Sequence, residues 1–181
     1  IFAYLLENDK LLLLFIQFVS FNNLRPVEIV RLRIKDINIK DRLVYVRAKN
    51  KPVKIKIIPE ILLSELPNLD NYKPEDFLFT PDGIDGEYNT SENNKRGYFG
   101  KRFKKIKTVF DLGEDYGMYS FRHTFITMLY NSLVIGSTPF EAKSKLMLIT
   151  GHNTMSALEK YLRDIDAVLP DDYSEHIKWK L

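Results

Sequence analysis

The eleven residues GHNTMSALEKY, 151 to 161, set a histidine behind a glycine and a tyrosine nine positions later. An imidazole can hold or move a proton, and a phenol can attack an electrophile through its oxygen. On one unbroken helix, nine steps of about 100° would put the two side chains on opposite faces. The stretch does not have the pattern of one helix. Gly151 is the kind of residue that ends the helix before it. Ser156, with Glu159 three residues on, has the spacing of a capping box that starts another. His152 then sits in a tight turn and Tyr161 about a turn and a half into the next helix, where the rings can meet.

Two arginines stand where helix chemistry disfavours them. Arg25 precedes Pro26 and takes an N-cap position, where a side-chain oxygen is wanted and a guanidinium offers no acceptor. In YSFRHTF, residues 119 to 125, Ser120 is the expected N-cap. Arg122 and His123 then fall in the first turn, where each cation opposes the helix dipole by about 0.3–1 kcal/mol. A bound anion would reverse that cost, because helix N-termini and arginines both attract phosphate. The competing readings are ion pairs, of Arg25 with Glu28 and of Arg122 with Glu114 or Asp115. His123 is expected as a buried or supporting residue, and His176 as a surface residue of the tail.

With Lys49 or Lys51 at the tip of a predicted hairpin, these groups suit attack on a phosphodiester. Arginine can grip two non-bridging oxygens and stabilise charge added in the transition state. Tyrosine can form a covalent ester, and lysine can protonate a leaving alkoxide. No Asp/Glu cluster suggests a two-metal site, so the expectation is catalysis without metal or cofactor.

The elements that must position these groups follow from periodicity and punctuation. Residues 2 to 20 are apolar and too long for a strand, which predicts helix with a break near Asn8-Asp9. RPVEIVRLRI predicts a second helix with Pro26 at its first position. LVYVRA and VKIKII, separated by KNKP, predict a hairpin with Lys54 and Lys56 on its wet face. DINI, 36 to 39, can add a third strand, and PEILLSEL a short helix. Residues 80 to 97 are polar and aperiodic, which predicts a long loop. Helices are expected over 98–110, 120–132, 139–149 and 157–162, with Asp171 or Asp172 capping a last short one. The fold class is mixed α/β, mainly helical, with a small antiparallel sheet beside a helical core.

At 181 residues the chain is long enough for one domain with a sizeable core. No cysteine is present, which excludes disulfides and cysteine-held zinc. The longest apolar run, LLLLFIQFV, is too short to span a bilayer, and no membrane partner is expected. The net charge of +3 becomes informative through its distribution. Seven cations and no acid fall between Lys95 and Lys107, interleaved with Tyr98, Phe99 and Phe103, and a second basic cluster runs from Arg42 to Lys56. Two such runs favour a phosphate-backbone footprint over a merely solvated face. The chain begins with Ile, so a piece of a longer protein is expected.

NNLRPVEIVRLRIKDI, YSFRHTF and GHNTMSALEKY together resemble, in order, the first-arginine, second-arginine and His-to-Tyr segments of the tyrosine recombinases, also called the phage integrase family. The resemblance runs from about residue 8 to 163 and implies the catalytic domain of that family. By it, Arg25 and Arg122 would bind the scissile phosphate and His152 would hydrogen-bond to it. Tyr161 would attack, giving a 3′-phosphotyrosyl link and a free 5′-hydroxyl. Lys49, with Lys51 as runner-up, would protonate the leaving oxygen, and Glu28 would support Arg25. The resemblance also implies double-stranded DNA as partner, a tetramer on paired sites, a bacterial cytoplasmic setting and a mobile element as the process served. The family's small N-terminal DNA-clamping domain would be missing, and residues 164–181 would form a C-terminal tail, of which Leu169 to Leu181 would dock on a neighbouring protomer or else fold back on its own domain. One position departs: Tyr119 stands where the family usually has a histidine three residues before the second arginine. A phenol, with a pKa near 10, is a poor base at neutral pH. The alternatives are a type IB topoisomerase-like strand transferase and a DNA-binding module of the same fold with impaired catalysis.

Overall fold

The computed structural model describes residues 1–47 and 52–162. Lys49, Lys51, the tail from residue 163 and the helix expected after Asp171 or Asp172 lie outside the described residues.

The helix break near Asn8-Asp9 forms. Helix α1 runs Phe2–Asn8 and α2 Lys10–Ser20, with Asp9 as the α2 N-cap. The Asp9 carboxylate accepts from the Leu12 backbone N–H at 2.9 Å and from two Arg102 nitrogens at 2.8 and 2.5 Å. One acid therefore starts α2 and ties it to α5, Glu92–Val109. Between them come α3 (Pro26–Ile29), a 3-10 turn (Ile34–Asp36), β1 (Ile37–Asn38), β2 (Leu43–Val46), β3 (Lys54–Ile57) and α4 (Glu60–Leu63). Helices α6 (Met118–Val134), α7 (Pro139–Thr150) and α8 (Met155–Leu162) follow. Helix α3 is shorter than predicted for RPVEIVRLRI: the chain leaves the helix at Val30, and Leu32 and Arg33 pair with Leu78 and Phe77 instead. The loop after Thr80 ends earlier than residue 97, because Ser91 caps α5 by accepting from the Asn94 N–H.

The sheet is an antiparallel meander, β1-β2-β3. Its register overturns one expectation. Lys56 pairs with Val44 and Lys54 with Val46, and cross-strand partners project from the same face. Val44 and Val46 are buried in the core. Both lysines therefore face inward over a cleft, and Ile55 and Ile57 are left on the outer face at 61% and 69% exposure. The pattern KIKI fixes an alternation but not its sign; the buried valines of β2 fix the sign.

Two apolar clusters carry the packing. The larger joins α1, α2, the sheet and α5 around Phe15, Phe18, Phe79 and Phe99. The smaller joins α6, α7 and α8 through Ile126, Tyr130, Ala142, Leu146, Leu158 and Leu162. Phe21 lies 5.1 Å from Phe125 and Phe2 5.8 Å from Phe121, ring to ring, which packs α6, the helix that also carries Ile126 and Tyr130 of the smaller cluster, against α1 and the end of α2. The candidate residues lie along this junction.

The long basic run is partly structural. Lys95 is buried, with its ammonium 3.2 Å from the centre of the Phe77 ring, and Arg102 is spent on Asp9. Arg96, Lys101, Lys104 and Lys105 stay exposed and remain available to an anionic partner.

Helix α7 ends as predicted, with Gly151 in the left-handed region at φ 73°. A Cβ there would meet nothing within 4 Å, so the conformation alone sets the requirement. Gly151→Ala is expected to destabilise by about 1 kcal/mol, lowering the unfolding midpoint by roughly 2–4 °C, with Gly151→Asn losing less. An unchanged midpoint for Gly151→Ala in a thermal melt would contradict the role given to this turn.

Candidate active site

The turn after α7 does what the nine-residue spacing required. Gly151 stops α7, His152 sits in the turn, and Tyr161 lies in the last described turn of α8. Their rings are 4.9 Å apart, centre to centre. Helix α8 starts earlier than Ser156, so the expected capping box does not form. Thr154 Oγ1 accepts from the Ala157 N–H at 3.2 Å instead, and Glu159 pairs with Lys143.

Helix α6 also starts earlier than expected, with Gly117 as its N-cap. The Ser120 hydroxyl accepts from the Gly117 N–H at 3.0 Å, as a third-position residue does. Arg122 and His123 therefore lie in the second turn, and the dipole argument for them fails. Burial takes its place. Arg122 is 1% exposed, and its Nε and Nη1 have no hydrogen-bond partner among the described residues. The surface pair with Glu114 or Asp115 is absent among the described ion pairs. The Arg122 guanidinium carbon stands 5.7 Å from the Tyr161 ring centre and 6.0 Å from that of Tyr119.

Arg25 keeps both of its readings. Its guanidinium pairs with Glu28 Oε1 at 3.3 Å, while Glu28 Oε2 accepts from the Arg25 backbone N–H at 2.8 Å. The carboxylate thus supplies the return half of a capping box, while the Glu28 N–H is met by the Arg25 carbonyl at 2.8 Å and not by the arginine side chain. Burial opposes the Arg25 charge, yet Glu28, Tyr119 and Tyr161 outweigh it and its pKa rises. The arginine side chain is still 42% exposed, so it can reach a ligand.

Tyr119 joins the site directly. Its hydroxyl and that of Tyr161 are 2.6 Å apart. Burial, and then this hydrogen bond, raise the Tyr119 pKa above the ordinary phenol value. It is a neutral donor or acceptor here and not a base. His123, expected to be buried or supporting, is exposed rather than buried, and its ring lies 4.4 Å from that of Tyr161 and 5.6 Å from that of Tyr119. Partial desolvation and then Arg122 lower its pKa, which keeps it uncharged at neutral pH. Its place four residues after Tyr119 was the signal: on a helix, positions i and i+4 share a face.

His152 is held from behind. Its Nδ1 is 2.7 Å from Thr150 Oγ1, and that hydroxyl is 2.8 Å from the Leu146 carbonyl. The Thr150 hydroxyl carries one proton. Turned to Leu146, it makes Nδ1 the donor and leaves Nε2 a lone pair; turned to Nδ1, it makes Nε2 the donor. Nε2 is buried and has no partner among the described residues. Lys56, expected on the wet face of the hairpin, lies instead beside Arg122, Glu28 and Arg25. Its ammonium donates to the Asn22 carbonyl at 2.5 Å. Burial and then Arg122 lower its pKa to about 7.

Residues 4–166 match the family model described as the phage integrase family. The chain belongs to the phage integrase family. Comparison with curated proteins returns no match. Among solved structures, this integrase-family chain superposes on XerA recombinase with a TM-score of 0.65 at 17% identity, covering 99% of this chain and 63% of that one. The Tn1549 transposon integrase in complex with circular intermediate DNA gives 0.60 at 20%, covering 88% and 57%. The XerH site-specific recombinase bound to palindromic difH substrate, in a post-cleavage complex, gives 0.58 at 16%, covering 86% and 42%. At such identities the likeness concerns the fold: mainly helical with a three-stranded antiparallel sheet, as the sequence implied. The chain spans less than two thirds of each of these three proteins. Among the described residues, no helix of this integrase-family chain is long and apolar enough to cross a membrane, and no His/Cys/Asp/Glu group could hold a metal ion.

The electrostatics of the site carry a pH signature. Burial first, then Arg122 and Arg25, push the His152 pKa down from 6.5 to about 4. Between those values the unfolded histidine binds a proton and the folded one does not, so stability falls as pH falls through that window. His152→Gln should remove this contribution. Urea unfolding at pH 7 and pH 5 is expected to show a larger loss for wild type than for His152→Gln; parallel losses would contradict the burial of a neutral imidazole.

Proposed function

We propose that this chain is the catalytic domain of a site-specific DNA recombinase or integrase, which breaks and rejoins strands through a 3′-phosphotyrosyl intermediate. The observation that carries the reading is the buried Arg122, two of whose guanidinium nitrogens have no partner among the described residues and whose guanidinium carbon stands 5.7 and 6.0 Å from the rings of the hydrogen-bonded pair Tyr161 and Tyr119. A guanidinium so buried is costly unless an anion completes its hydrogen bonds. A phosphodiester is such an anion, and a phenol beside it is a nucleophile.

In this reading Arg25 and Arg122 hold the non-bridging oxygens of the scissile phosphate, and His152, with the Thr150 hydroxyl turned to Nδ1 so that Nε2 carries the proton, donates to one of them from Nε2. The Tyr161 oxygen attacks phosphorus and its proton leaves, with Tyr119 orienting the hydroxyl and neutral His123 as the nearby acceptor. The bond from phosphorus to the 5′ oxygen breaks, and that oxygen takes a proton from a lysine. Lys49, or Lys51, is the candidate implied by the resemblance; both lie outside the described residues. A 5′-hydroxyl attacking the phosphotyrosine reverses the sequence and rejoins the strand. The charge is stabilised by protein groups, so no metal or cofactor is called for. Double-stranded DNA as partner, a tetramer on paired sites, an N-terminal clamping domain in the whole protein, a bacterial cytoplasmic setting and service to a mobile element complete the proposal. The XerH, XerA and Tn1549 likenesses support it as relatives in fold.

The test is covalent capture on a nicked duplex, its sequence first selected from a random pool by binding to the chain. Wild type should form a protein–DNA adduct resistant to denaturation, and Tyr161→Phe should form none while still binding. Tyr119→Phe should cleave about 10- to 100-fold more slowly, as expected for one hydrogen bond lost in a charged site. An adduct that persists in Tyr161→Phe would give the attack to another residue. A Tyr119→Phe rate equal to wild type would make that hydroxyl idle.

A further inference from the structure

Beside the reacting groups lies a cavity of about 280 Å³ between the sheet and the end of α7. Its walls include Asn23, Arg25, Glu28, Lys54 and Lys56. Arg25 belongs both to this cavity and to the candidate active site. We propose that Asn23, Lys54 and Lys56, beside Arg25, form a second phosphate site, which holds the phosphodiester next to the reacting one on the same DNA strand. This rests on the recombinase reading.

Asn23 is the first argument. It is 1% exposed, yet neither its Nδ2 nor its Oδ1 has a partner among the described residues. A buried carboxamide left unpaired is costly, and native proteins seldom tolerate one without a reason. The backbone does not supply that reason. Asn23 has φ 54°, a conformation glycine adopts with no polar atoms to bury. The carboxamide is dispensable to the turn and is left with a ligand as its partner.

The lysines are the second argument. The register of β3 turns both toward the cavity, on the face of the buried Val44 and Val46. Three cations then face one carboxylate, and Glu28 is already engaged by Arg25. Lys56 spends one proton on the Asn22 carbonyl, which fixes its ammonium and leaves two donors. Burial and crowding by Arg122 weaken its hold on its proton, Lys54 and Arg25 adding to this and Glu28 opposing it. An anion in the cavity reverses that effect. The surrounding charge is what a phosphate relieves, and the unpaired Nδ2 of Asn23 supplies a neutral donor to it.

The test uses the pool-selected duplex, with a single uncharged methylphosphonate linkage walked along each strand. Wild type should lose affinity at the scissile linkage and again at one neighbouring linkage, by about ten-fold each. Asn23→Gly and Lys56→Met should each bind natural DNA about ten-fold more weakly and lose nothing further at that neighbour, while still losing affinity at the scissile linkage. Lys56→Gln, which retains a donor for Asn22, repeats the measurement if Lys56→Met fails to fold. Asn23→Gly should melt within about 3 °C of wild type, since only the ligand needs the carboxamide. Full additive loss in the variants, a wild type indifferent to every neighbouring linkage, or a large drop in the Asn23→Gly midpoint would each overturn the proposal. A wild type that shows the neighbouring effect but never captures DNA covalently would instead sink the recombinase reading and leave the phosphate site standing.

Discussion

One buried cation organises this molecule. The Arg122 guanidinium is almost completely withdrawn from water, and Nε and Nη1 find no partner among the described residues. Removing an ion from water costs several kcal/mol after relaxation, and folding alone would not select such an arrangement. The groups around it respond to its charge. It is among the causes that lower the pKa values of His152, His123 and Lys56. A centre so loaded with positive potential, and with donors unpaired among the described residues, suits an anionic ligand.

The surrounding architecture keeps that centre in place with devices outside the main apolar core. Arg25, Tyr119, Arg122 and His152 sit at or near the end of a helix. Arg25 precedes α3, with Glu28 accepting from its backbone N–H. Tyr119 and Arg122 lie in the first two turns of α6, and His152 lies in the left-handed turn that ends α7. The two apolar clusters and the ring contact between Phe21 and Phe125 hold these helix ends against one another. Tyr119 shows how the arrangement accommodates a change of residue type. A phenol there cannot serve as a base, but it bonds to the Tyr161 hydroxyl and so aligns it. Neutral His123, one turn along the same face, brings a group that can accept a proton.

Much of this was legible in the sequence, for specific reasons. The glycine stop at 151 and the interval to Tyr161 demanded a turn, and the turn is there. Arg25 before Pro26 marked a cap without an acceptor. The chain could not show what depends on pairing across space. The spacing around Ser120 suggests an N-cap three residues too late, because Gly117 offers no side-chain signal of its own. KIKI alternates equally well either way up, and only its register against Val44 and Val46 turns the lysines inward. His123 reads only as a buried or supporting residue, because its neighbour Tyr161 lies 38 positions further along the chain. The unpaired carboxamide of Asn23 is a property of the folded state alone.

The most direct measurement is the structure of the chain on its selected nicked duplex with vanadate in place of the scissile phosphate. The account predicts vanadate oxygens within hydrogen-bonding distance of Arg122 Nε and Nη1, His152 Nε2 and the Arg25 guanidinium. It also predicts the Tyr161 oxygen at one apex, still bonded to the Tyr119 hydroxyl. Vanadate bound away from Arg122, or with Tyr119 in place of Tyr161 at the apex, would contradict it.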